Sequence, residues 1–257
     1  MFADAWLGKF GTNEYELVMS KDVDKVMTLD MEDGNTVEVT GADVYTLVFD
    51  SGQPWSISAN GTLFKTDVQG IVPGLLERWY AERQVLQAKK KEAVGKEEIA
   101  FFDKRQLVKK INLNSLYGAI LNPGCRFFDK RIGQSTTLTG RTIVKHMSAE
   151  ANKVITGVYD HTGDSVVYGD TDSVYFSAYP TLKEDIDSGK IPWSIDNAIT
   201  LYDQIADAVD STFTDMMMKS HHCPKSRAAV IAAGREIVAK SGLFITKKRY
   251  AALVVDN

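Results

Sequence analysis

Residues 166–176 read Val-Val-Tyr-Gly-Asp-Thr-Asp-Ser-Val-Tyr-Phe, and they decide how the middle of the chain folds. Two arms rich in β-branched and aromatic residues flank a polar Gly-Asp-Thr-Asp centre, which is typical of a β-hairpin. Asp170 and Asp172 are two positions apart, so in an extended chain their side chains point to the same face. Two carboxylates this close repel each other unless a cation lies between them, and a hard divalent cation such as Mg²⁺ suits oxygen ligands. The hairpin therefore predicts a metal site.

The Asp-x-Asp spacing alone is a weak signal, because it occurs three times in the chain. The other two pairs are Asp22/Asp24 and Asp185/Asp187. Their polar surroundings predict ordinary exposed carboxylates, whereas only the central pair lies between apolar arms, where a bare carboxylate pair is costly. A calcium-binding EF-hand loop that begins at Asp170 is excluded, because its sixth and twelfth positions would be Tyr175 and Thr181.

Upstream of the hairpin the sequence predicts two helices, which a break at Gly95 separates. The first is expected over about residues 75–93 and the second over about residues 98–120. Residues 83–110 carry nine Lys or Arg against four acids, a net charge of +5, whereas residues 1–60 carry three lysines against eleven acids, a net charge of −8. A basic segment can attract phosphates even though the whole chain has a net charge of −4, and a solvated helix face is the alternative.

The second predicted helix has two faces of different character. Leu113, Leu116 and Ile120 form an apolar stripe at helical spacing. The polar stripe consists of Gln106, Lys110, Asn114 and Tyr117. A cation and an amide on one face can bind a phosphate, and an aromatic ring beside them can pack on a sugar or base. The alternative is that the stripe is the ordinary polar face of an amphipathic helix, with its hydrogen bonds made within the protein.

The rest of the chain mixes strands and helices without a strict parallel rhythm, which favours an α+β fold. Asn60-Gly61, between two short β-rich arms, predicts a hairpin turn. Residues 45–49 alternate as a strand does. Further helices are expected over residues 136–156 and 196–218, and further strands near residues 228–231 and 247–255.

Several classes of protein are disfavoured by composition. Cys125 and Cys223 are far apart, so neither a disulfide framework nor a thiolate zinc site is predicted. His221 and His222 adjoin Cys223, but neighbours along a chain rarely converge on one metal ion. The first ten residues lack the apolar core of a secretion signal, and no run of 18 apolar residues exists, so no membrane span is expected. The expectation is a cytosolic protein.

Two motifs in order carry a resemblance to a known family. Lys-x-x-x-Asn-Ser-Leu-Tyr-Gly at residues 110–118, followed by Tyr-Gly-Asp-Thr-Asp-Ser at residues 168–173, resembles family B DNA polymerases, especially the phage replicative branch. Arg83 is similar to an arginine of the family's first fingers helix, and Thr139-Gly140-Arg141 to the helix after the fingers. Arg235-Glu236 is similar to a palm acidic position, and residues 247–250, Lys-Lys-Arg-Tyr, to the motif that contacts the primer terminus. The likeness runs from about residue 55 to the end, and the first 50 residues match no part of the family.

The resemblance implies a DNA-directed DNA polymerase activity, which is template-directed nucleotidyl transfer from a dNTP to the 3′-OH of a primer in primer-template DNA. It implies that Asp170 and Asp172 bind two catalytic Mg²⁺ ions, with Glu236 as an accessory carboxylate. It further implies a nucleotide-binding set of Arg83, Lys110, Asn114 and Tyr117. The implied DNA contacts are Tyr168, Lys247, Lys248, Arg249 and Tyr250.

The resemblance also implies a partial polymerase palm, an antiparallel sheet with packed helices, that carries a two-helix fingers hairpin. The expected domains are residues 1–73 (acidic region and palm segment), 74–120 (fingers) and 121–257 (palm with the metal-binding hairpin and the primer-contacting strand). The family's first palm motif, Asp-x-x-Ser-Leu-Tyr-Pro, its exonuclease motif and its thumb are not found in this sequence. The chain alone is therefore expected to polymerise poorly or not at all.

Four origins remain open from the sequence. The chain can be one half of a split polymerase that a second polypeptide completes, or an excerpt of a longer reading frame. It can also be a non-catalytic nucleic-acid-binding remnant. A nuclease or nucleotidyl transferase of another family is the fourth, and it leaves the order of the motifs at residues 110–118 and 247–250 unexplained.

Overall fold

The computed structural model describes residues 13–31 and 33–256. The chain divides into two compact units, each of which is described by itself below. The larger unit joins the segment that ends at Phe64 with the segment that begins at Thr137, and the smaller unit comprises Lys65–Thr136. Helices and small antiparallel sheets are mixed along the chain, which confirms the α+β class. Among the described residues, no helix combines the length and the apolar composition that a membrane span requires.

The N-terminal part of the larger unit folds around one apolar cluster. Its elements are α1 (Asn13–Met19), β1 (Val26–Asp30), β2 (Thr36–Thr40), α2 (Gly41–Tyr45), a π-helical turn (Thr46–Asp50), β3 (Trp55–Ile57) and β4 (Leu63–Lys65). The buried side chains of the cluster are Tyr15, Val18, Met19, Val44, Val48 and Ile57. These residues come from helices α1 and α2, the π-helical turn and strand β3, so the cluster is what holds this part of the unit together.

The strand-like alternation of residues 45–49 is misleading, because this segment is helical. Thr40 caps α2 through a reciprocal pair of hydrogen bonds: its hydroxyl accepts from the Asp43 N–H at 3.2 Å, and the Asp43 carboxylate accepts from the Thr40 N–H at 2.8 Å. This capping box starts a helix immediately before the alternating residues, and the π-helical turn continues it. Val48 then reaches the core from a helical position.

The predicted Asn60-Gly61 turn is confirmed. It connects β3 to β4, and the Ser58 N–H donates to the Thr62 carbonyl at 2.9 Å. Gly61 has φ +82°, a conformation that glycine adopts without steric cost.

Two histidines and a tyrosine tie β3 and α1 to the C-terminal end of a later helix. His221 Nδ1 and His222 Nδ1 each lie 2.8 Å from a β3 carbonyl, of Ile57 and Trp55 respectively. The Tyr15 hydroxyl donates to the Ser220 carbonyl at 2.9 Å. These side chains therefore serve the packing of the larger unit.

The smaller unit is a helical hairpin, as predicted. Helix α3 (Ile71–Glu92) and helix α4 (Lys96–Ile120) are separated at Gly95, whose φ of +104° lets the chain reverse. Polar contacts join the helices, among them an ion pair of 2.6 Å between Lys90 Nζ and Asp103 Oδ1.

The remainder of the larger unit packs helices against two further hairpins. The elements are α5 (Lys130–Thr156), β5 (Val166–Asp170), β6 (Ser173–Phe176), α6 (Tyr179–Asp187), α7 (Ile195–Asp210), α8 (Phe213–His221), α9 (Lys225–Ala228), β7 (Val238–Thr246) and β8 (Arg249–Asp256). A second apolar cluster contains the buried residues Ala151, Ala178, Ile205, Val209, Phe213 and Met216. Helix α5 begins within the smaller unit and faces this cluster through residues spaced four apart, which are Ile143, Met147, Ala151 and Ile155.

The single helix predicted over residues 196–218 is wrong, because α7 and α8 are separate helices. Two hydroxyl side chains stand at the break. Ser211 Oγ donates to the Ala208 carbonyl and Thr212 Oγ1 to the Val209 carbonyl, each at 2.7 Å. Such bonds satisfy the carbonyls of the last helical turn and so compete with continuation of the helix.

The strand predicted near residues 228–231 is also wrong. Pro224 precedes the short helix α9, and the Ile231 N–H donates to the Ala228 carbonyl at 3.2 Å in the turn that follows. Strand β7 was not predicted, because Lys240, Ser241 and Gly242 interrupt any alternation and most of its residues are exposed.

A buried histidine of α5 links the loop that follows α5 to the turn between α7 and α8. Thr212 Oγ1 donates to the Val209 carbonyl, so it accepts the proton of His146 Nε2 at 2.8 Å. His146 Nδ1 then accepts from the Tyr159 hydroxyl at 2.9 Å. Burial, followed by the positive charge of Lys153, lowers the pKa of His146 to about 4.

We expect this histidine to make stability depend on pH. The pKa of this histidine is about 6.5 in the unfolded chain and lower in the folded chain, so between these two values only the unfolded chain binds the proton. The unfolding free energy therefore falls by about 3 kcal/mol as the pH is lowered through this range. Burial also lowers the pKa of His221 to about 4, which adds in the same direction. His146→Gln should therefore remove roughly half of the loss of unfolding free energy between pH 7 and pH 4 in urea titrations. An unchanged loss would contradict the assignment.

Candidate metal centre and phosphate-binding face

The β5–β6 hairpin carries two carboxylates, one at the end of a strand and one in the two-residue turn. Asp170 ends β5 and pairs with Ser173, the first residue of β6, so that Thr171 and Asp172 form the turn. The expectation that both aspartates lie on one extended strand between buried arms is therefore wrong, and the arms are only partly buried. Thr171 has φ +44°, an unfavourable conformation for a β-branched residue that costs about 1 kcal/mol or more.

The Asp170 carboxylate is held by two hydroxyl groups. Oδ1 accepts from Thr171 Oγ1 at 3.1 Å, and Oδ2 accepts from the Tyr168 hydroxyl at 3.4 Å. The side chain of Asp172 is exposed and makes no hydrogen bond or ion pair with any residue that the structure describes. The hairpin therefore keeps carboxylate oxygens available to a ligand.

The other two Asp-x-Asp pairs have local partners. Asp22 accepts from the backbone N–H groups of Asp24 and Lys25 at 3.1 and 2.7 Å. Asp185 pairs with Lys190 at 2.8 Å, and Asp187 pairs with Lys183 at 2.6 Å. Lysines therefore neutralise the Asp185/Asp187 pair, whereas Asp170 and Asp172 form no ion pair with a residue that the structure describes.

The donor set of the hairpin suits Mg²⁺. This ion is commonly held by one or two carboxylates, with water and substrate phosphates completing its shell. Over residues 13–31 and 33–256, no three His, Cys, Asp or Glu side chains converge as a metal-binding group, so Glu236 does not join the two aspartates. Glu236 instead lies near Tyr175. The hydrogen bond that Tyr175 donates to Tyr250 raises the pKa of Tyr175 to about 12, and burial and the charge of Glu236 act in the same direction.

The basic motif at residues 247–250 lies at the tip of the β7–β8 hairpin. Lys247 and Lys248 form the turn, and Arg249 and Tyr250 begin β8, with all four side chains exposed. The strand predicted near residues 247–255 therefore begins later than expected, and Lys248 lies in the turn with φ +63°. Its backbone N–H donates to the Tyr168 hydroxyl at 2.8 Å, which brings the basic turn beside the carboxylate hairpin.

Arg235 holds the segment that leads into β7. Its Nε lies 2.5 Å from Asp203 Oδ1 on α7, and its Nη2 lies 2.6 Å from Asp256 Oδ2 at the end of β8. The sequence does not reveal this role of Arg235, because ion pairs between residues far apart in sequence leave no local pattern.

In the smaller unit, helix α4 presents the predicted polar stripe. Lys110 and Asn114 are exposed, and Tyr117 follows at the same helical face. Arg83 of α3 reaches this stripe, because its Nε donates to Gln106 Oε1 at 3.3 Å. Gln106 in turn donates to Asp103 Oδ1 at 3.2 Å, so it orients the guanidinium, a role that the sequence did not reveal.

The chain is similar to known polymerases over most of its length. The sequence profile of DNA polymerase family B matches residues 15–222. The "DNA polymerase delta catalytic subunit" of Oryza sativa subsp. japonica is 32% identical over 199 residues, which are 76% of this chain and 16% of the rice protein. The "DNA-directed DNA polymerase" of Escherichia phage RB69 is 30% identical over 163 residues, which are 59% of this chain and 18% of the phage protein. The chain thus spans less than a fifth of the length of these relatives.

The match differs from the expected coverage at both ends. It begins at residue 15, so the expectation that the first 50 residues match no part of the family is wrong from there onward. It ends at residue 222, so Glu236 and residues 247–250 lie outside it.

Proposed function

Because the chain belongs to DNA polymerase family B, we propose that it provides the metal-binding, primer-contacting and nucleotide-binding parts of a template-directed DNA polymerase. The observation that carries this proposal is the carboxylate pair at the β5–β6 turn, which lies beside the basic β7–β8 turn through the contact from Lys248 to Tyr168. The reaction is transfer of a nucleotidyl group from a dNTP to the 3′-OH of a primer.

The two aspartates hold divalent cations in this proposal. Asp170 keeps a defined orientation through its two hydroxyl donors, and Asp172 is exposed. The chemistry that two bound Mg²⁺ ions supply is activation of the 3′ oxygen and stabilisation of the leaving pyrophosphate. Glu236 is proposed as an accessory carboxylate outside the shell of ligands, because it does not converge with the aspartates among the described residues.

In this proposal the helical hairpin binds the triphosphate, neutralises part of its charge and aligns it. Phosphoryl transfer depends mainly on in-line positioning and on electrostatic stabilisation. Arg83, Lys110 and Asn114 would contact the triphosphate, and Tyr117 would lie near the nascent base pair. The contact between Arg83 and Gln106 supports this role, because it orients the guanidinium along the stripe that carries Lys110.

The primer strand is assigned to the β7–β8 turn. Lys247, Lys248 and Arg249 are exposed cations on one tip, as phosphate contacts require. Tyr250 would lie beside the strand near its 3′ end. Tyr168, which was expected to contact DNA directly, donates and accepts within the protein.

We propose that the chain polymerises poorly alone and that a second polypeptide or further segments complete the active site. The support is that no three potential metal ligands converge among the described residues. The alternative is a non-catalytic nucleic-acid-binding remnant, which the same observation also fits. Primer extension by the purified chain tests both, and efficient extension would contradict them.

Nucleotide binding by the helical hairpin gives a direct test. Lys110→Ala should weaken binding of dATP with Mg²⁺ by about tenfold or more, because a hydrogen bond to a charged group contributes about 1.5–3 kcal/mol. Lys104→Ala is the matched control, since Lys104 is an exposed lysine of the same helix outside the polar stripe. Calorimetric titration measures both. Equal affinities for the two variants would refute the nucleotide-binding assignment.

A further inference from the structure

Two aromatic pairs lie where the β5–β6 and β7–β8 hairpins meet. Tyr168 is opposite Tyr175 in one hairpin, and Phe244 is opposite Tyr250 in the other. Every ring of this aromatic tetrad lies within 5.1 to 6.0 Å, centroid to centroid, of the other three. Aromatic pairs at such distances attract each other beyond the effect of burying their surface.

The tetrad joins hairpins that no strand pairing connects. In the described residues, β5–β6 and β7–β8 are separate two-stranded sheets. Their relative position therefore depends on side chains, and the tetrad with its hydroxyl groups spans the junction.

The two tyrosines of the β5–β6 hairpin have different partners. The Tyr175 hydroxyl donates to the Tyr250 hydroxyl at 2.9 Å, so its bond stays within the tetrad. The Tyr168 hydroxyl accepts from the Lys248 N–H at 2.8 Å and donates to Asp170 Oδ2 at 3.4 Å. Tyr168 alone in the tetrad thus links the basic turn to a carboxylate of the candidate metal centre.

The hydrogen bond from Lys248 to Tyr168 stabilises an unfavourable turn. A lysine at φ +63° is in the left-handed region, which is sterically unfavourable for a residue with a Cβ atom. The amide that donates to Tyr168 belongs to this same residue. The hydrogen bond therefore stabilises the conformation that presents the basic turn.

We propose that Tyr168 is a positioning residue that couples cation binding at Asp170 to nucleic-acid binding at the Lys247–Lys248 turn. This inference rests on the proposed function. A cation that orders the Asp170 carboxylate also orders the Tyr168 hydroxyl, and the hydroxyl orders the turn before the strand arrives. Whichever ligand binds first orders the groups that the second ligand contacts, so the second ligand binds more tightly. This positive cooperativity is reciprocal, because each ligand must strengthen the other by the same factor.

Binding measurements on the whole chain test the coupling. The affinity for Mn²⁺ is measured by electron paramagnetic resonance, and that for a fluorescent primer–template duplex by anisotropy, each without and with the other ligand at constant ionic strength. We expect each ligand to strengthen the other about fivefold, the lower end of typical allosteric coupling. In Tyr168→Phe the factor should fall to about one, because the phenyl ring keeps its place in the tetrad but lacks the hydroxyl that joins Asp170 to Lys248.

Tyr175→Phe is the matched control, because it removes one hydroxyl from the same tetrad without touching Asp170 or Lys248. It should keep the fivefold factor. Retained coupling in Tyr168→Phe would overturn the proposal. Loss of coupling in both variants would overturn it too, because the coupling would then depend on packing of the tetrad and not on the Tyr168 hydroxyl. A wild-type chain that binds both ligands without coupling overturns this inference alone. One that binds neither ligand overturns the proposed function as well.

A second measurement needs no variant. Hydrogen exchange of the amides of residues 246–250, followed by nuclear magnetic resonance, reports directly on the bond from Lys248 to Tyr168. Mg²⁺ should slow exchange of the Lys248 amide severalfold and leave the Leu29 amide of the β1–β2 hairpin unchanged. Exchange of Lys248 that does not respond to Mg²⁺ would overturn the proposal.

Discussion

Asp172→Asn is expected to weaken Mn²⁺ binding by about a hundredfold, since the number of charged ligands sets the affinity of oxygen-ligated cations over several orders of magnitude. Asp172 has an exposed carboxylate with no hydrogen-bond or ion-pair partner among the described residues, so the substitution removes charge without breaking a contact of the fold. The unfolding free energy should therefore stay within about 0.5 kcal/mol of wild type. Electron paramagnetic resonance of free Mn²⁺ measures the first quantity, and urea unfolding the second.

Asp187→Asn is the matched control for this experiment. It makes the same chemical change in another Asp-x-Asp pair, where the carboxylate is exposed and paired with Lys183. Its Mn²⁺ affinity should equal that of wild type, because an exposed ion pair of this kind contributes little and marks no metal site. If both variants bind Mn²⁺ as wild type does, the candidate metal centre is refuted.

Phe213→Ala should lower the unfolding free energy by about 3–5 kcal/mol, as truncation of a buried phenylalanine usually does. Phe213 is 1% exposed in the second apolar cluster, and its ring contacts that of His146 edge-on with centroids 5.8 Å apart. Truncation leaves a cavity between α5, α7 and α8, which pack on this residue. Urea unfolding followed by circular dichroism measures the loss.

Phe127→Ala provides the control, because Phe127 is 72% exposed. Its effect on the unfolding free energy should stay within about 0.5 kcal/mol. A loss below about 1 kcal/mol in Phe213→Ala would show that the site collapses around the truncated side chain, contrary to the packing described above.

Local patterns predicted the elements whose signals lie close together in sequence. Gly95 separated the two helices of the smaller unit, and Asn60-Gly61 marked a hairpin, because a turn depends on the few residues that form it. The β5–β6 hairpin followed from residues 166–176 for the same reason. The prediction of one helix over residues 196–218 was wrong at the break, where side-chain hydroxyl groups bond to backbone carbonyls. Helix propensity alone does not decide whether a carbonyl accepts from a hydroxyl or from the next helical N–H.

The sequence by itself determined the family, the α+β class and the polar stripe of α4, because motif order and helical spacing are properties of the chain. Only the tertiary structure decided that the Tyr168 hydroxyl bonds to Asp170 of its own hairpin and to the backbone of Lys248 in the other, where Lys248 adopts a left-handed conformation. It also decided that Arg235 joins α7 to β8. Tyr168 and Lys248 are 80 positions apart, and their contact depends on how two hairpins pack, for which a local sequence pattern holds no signal.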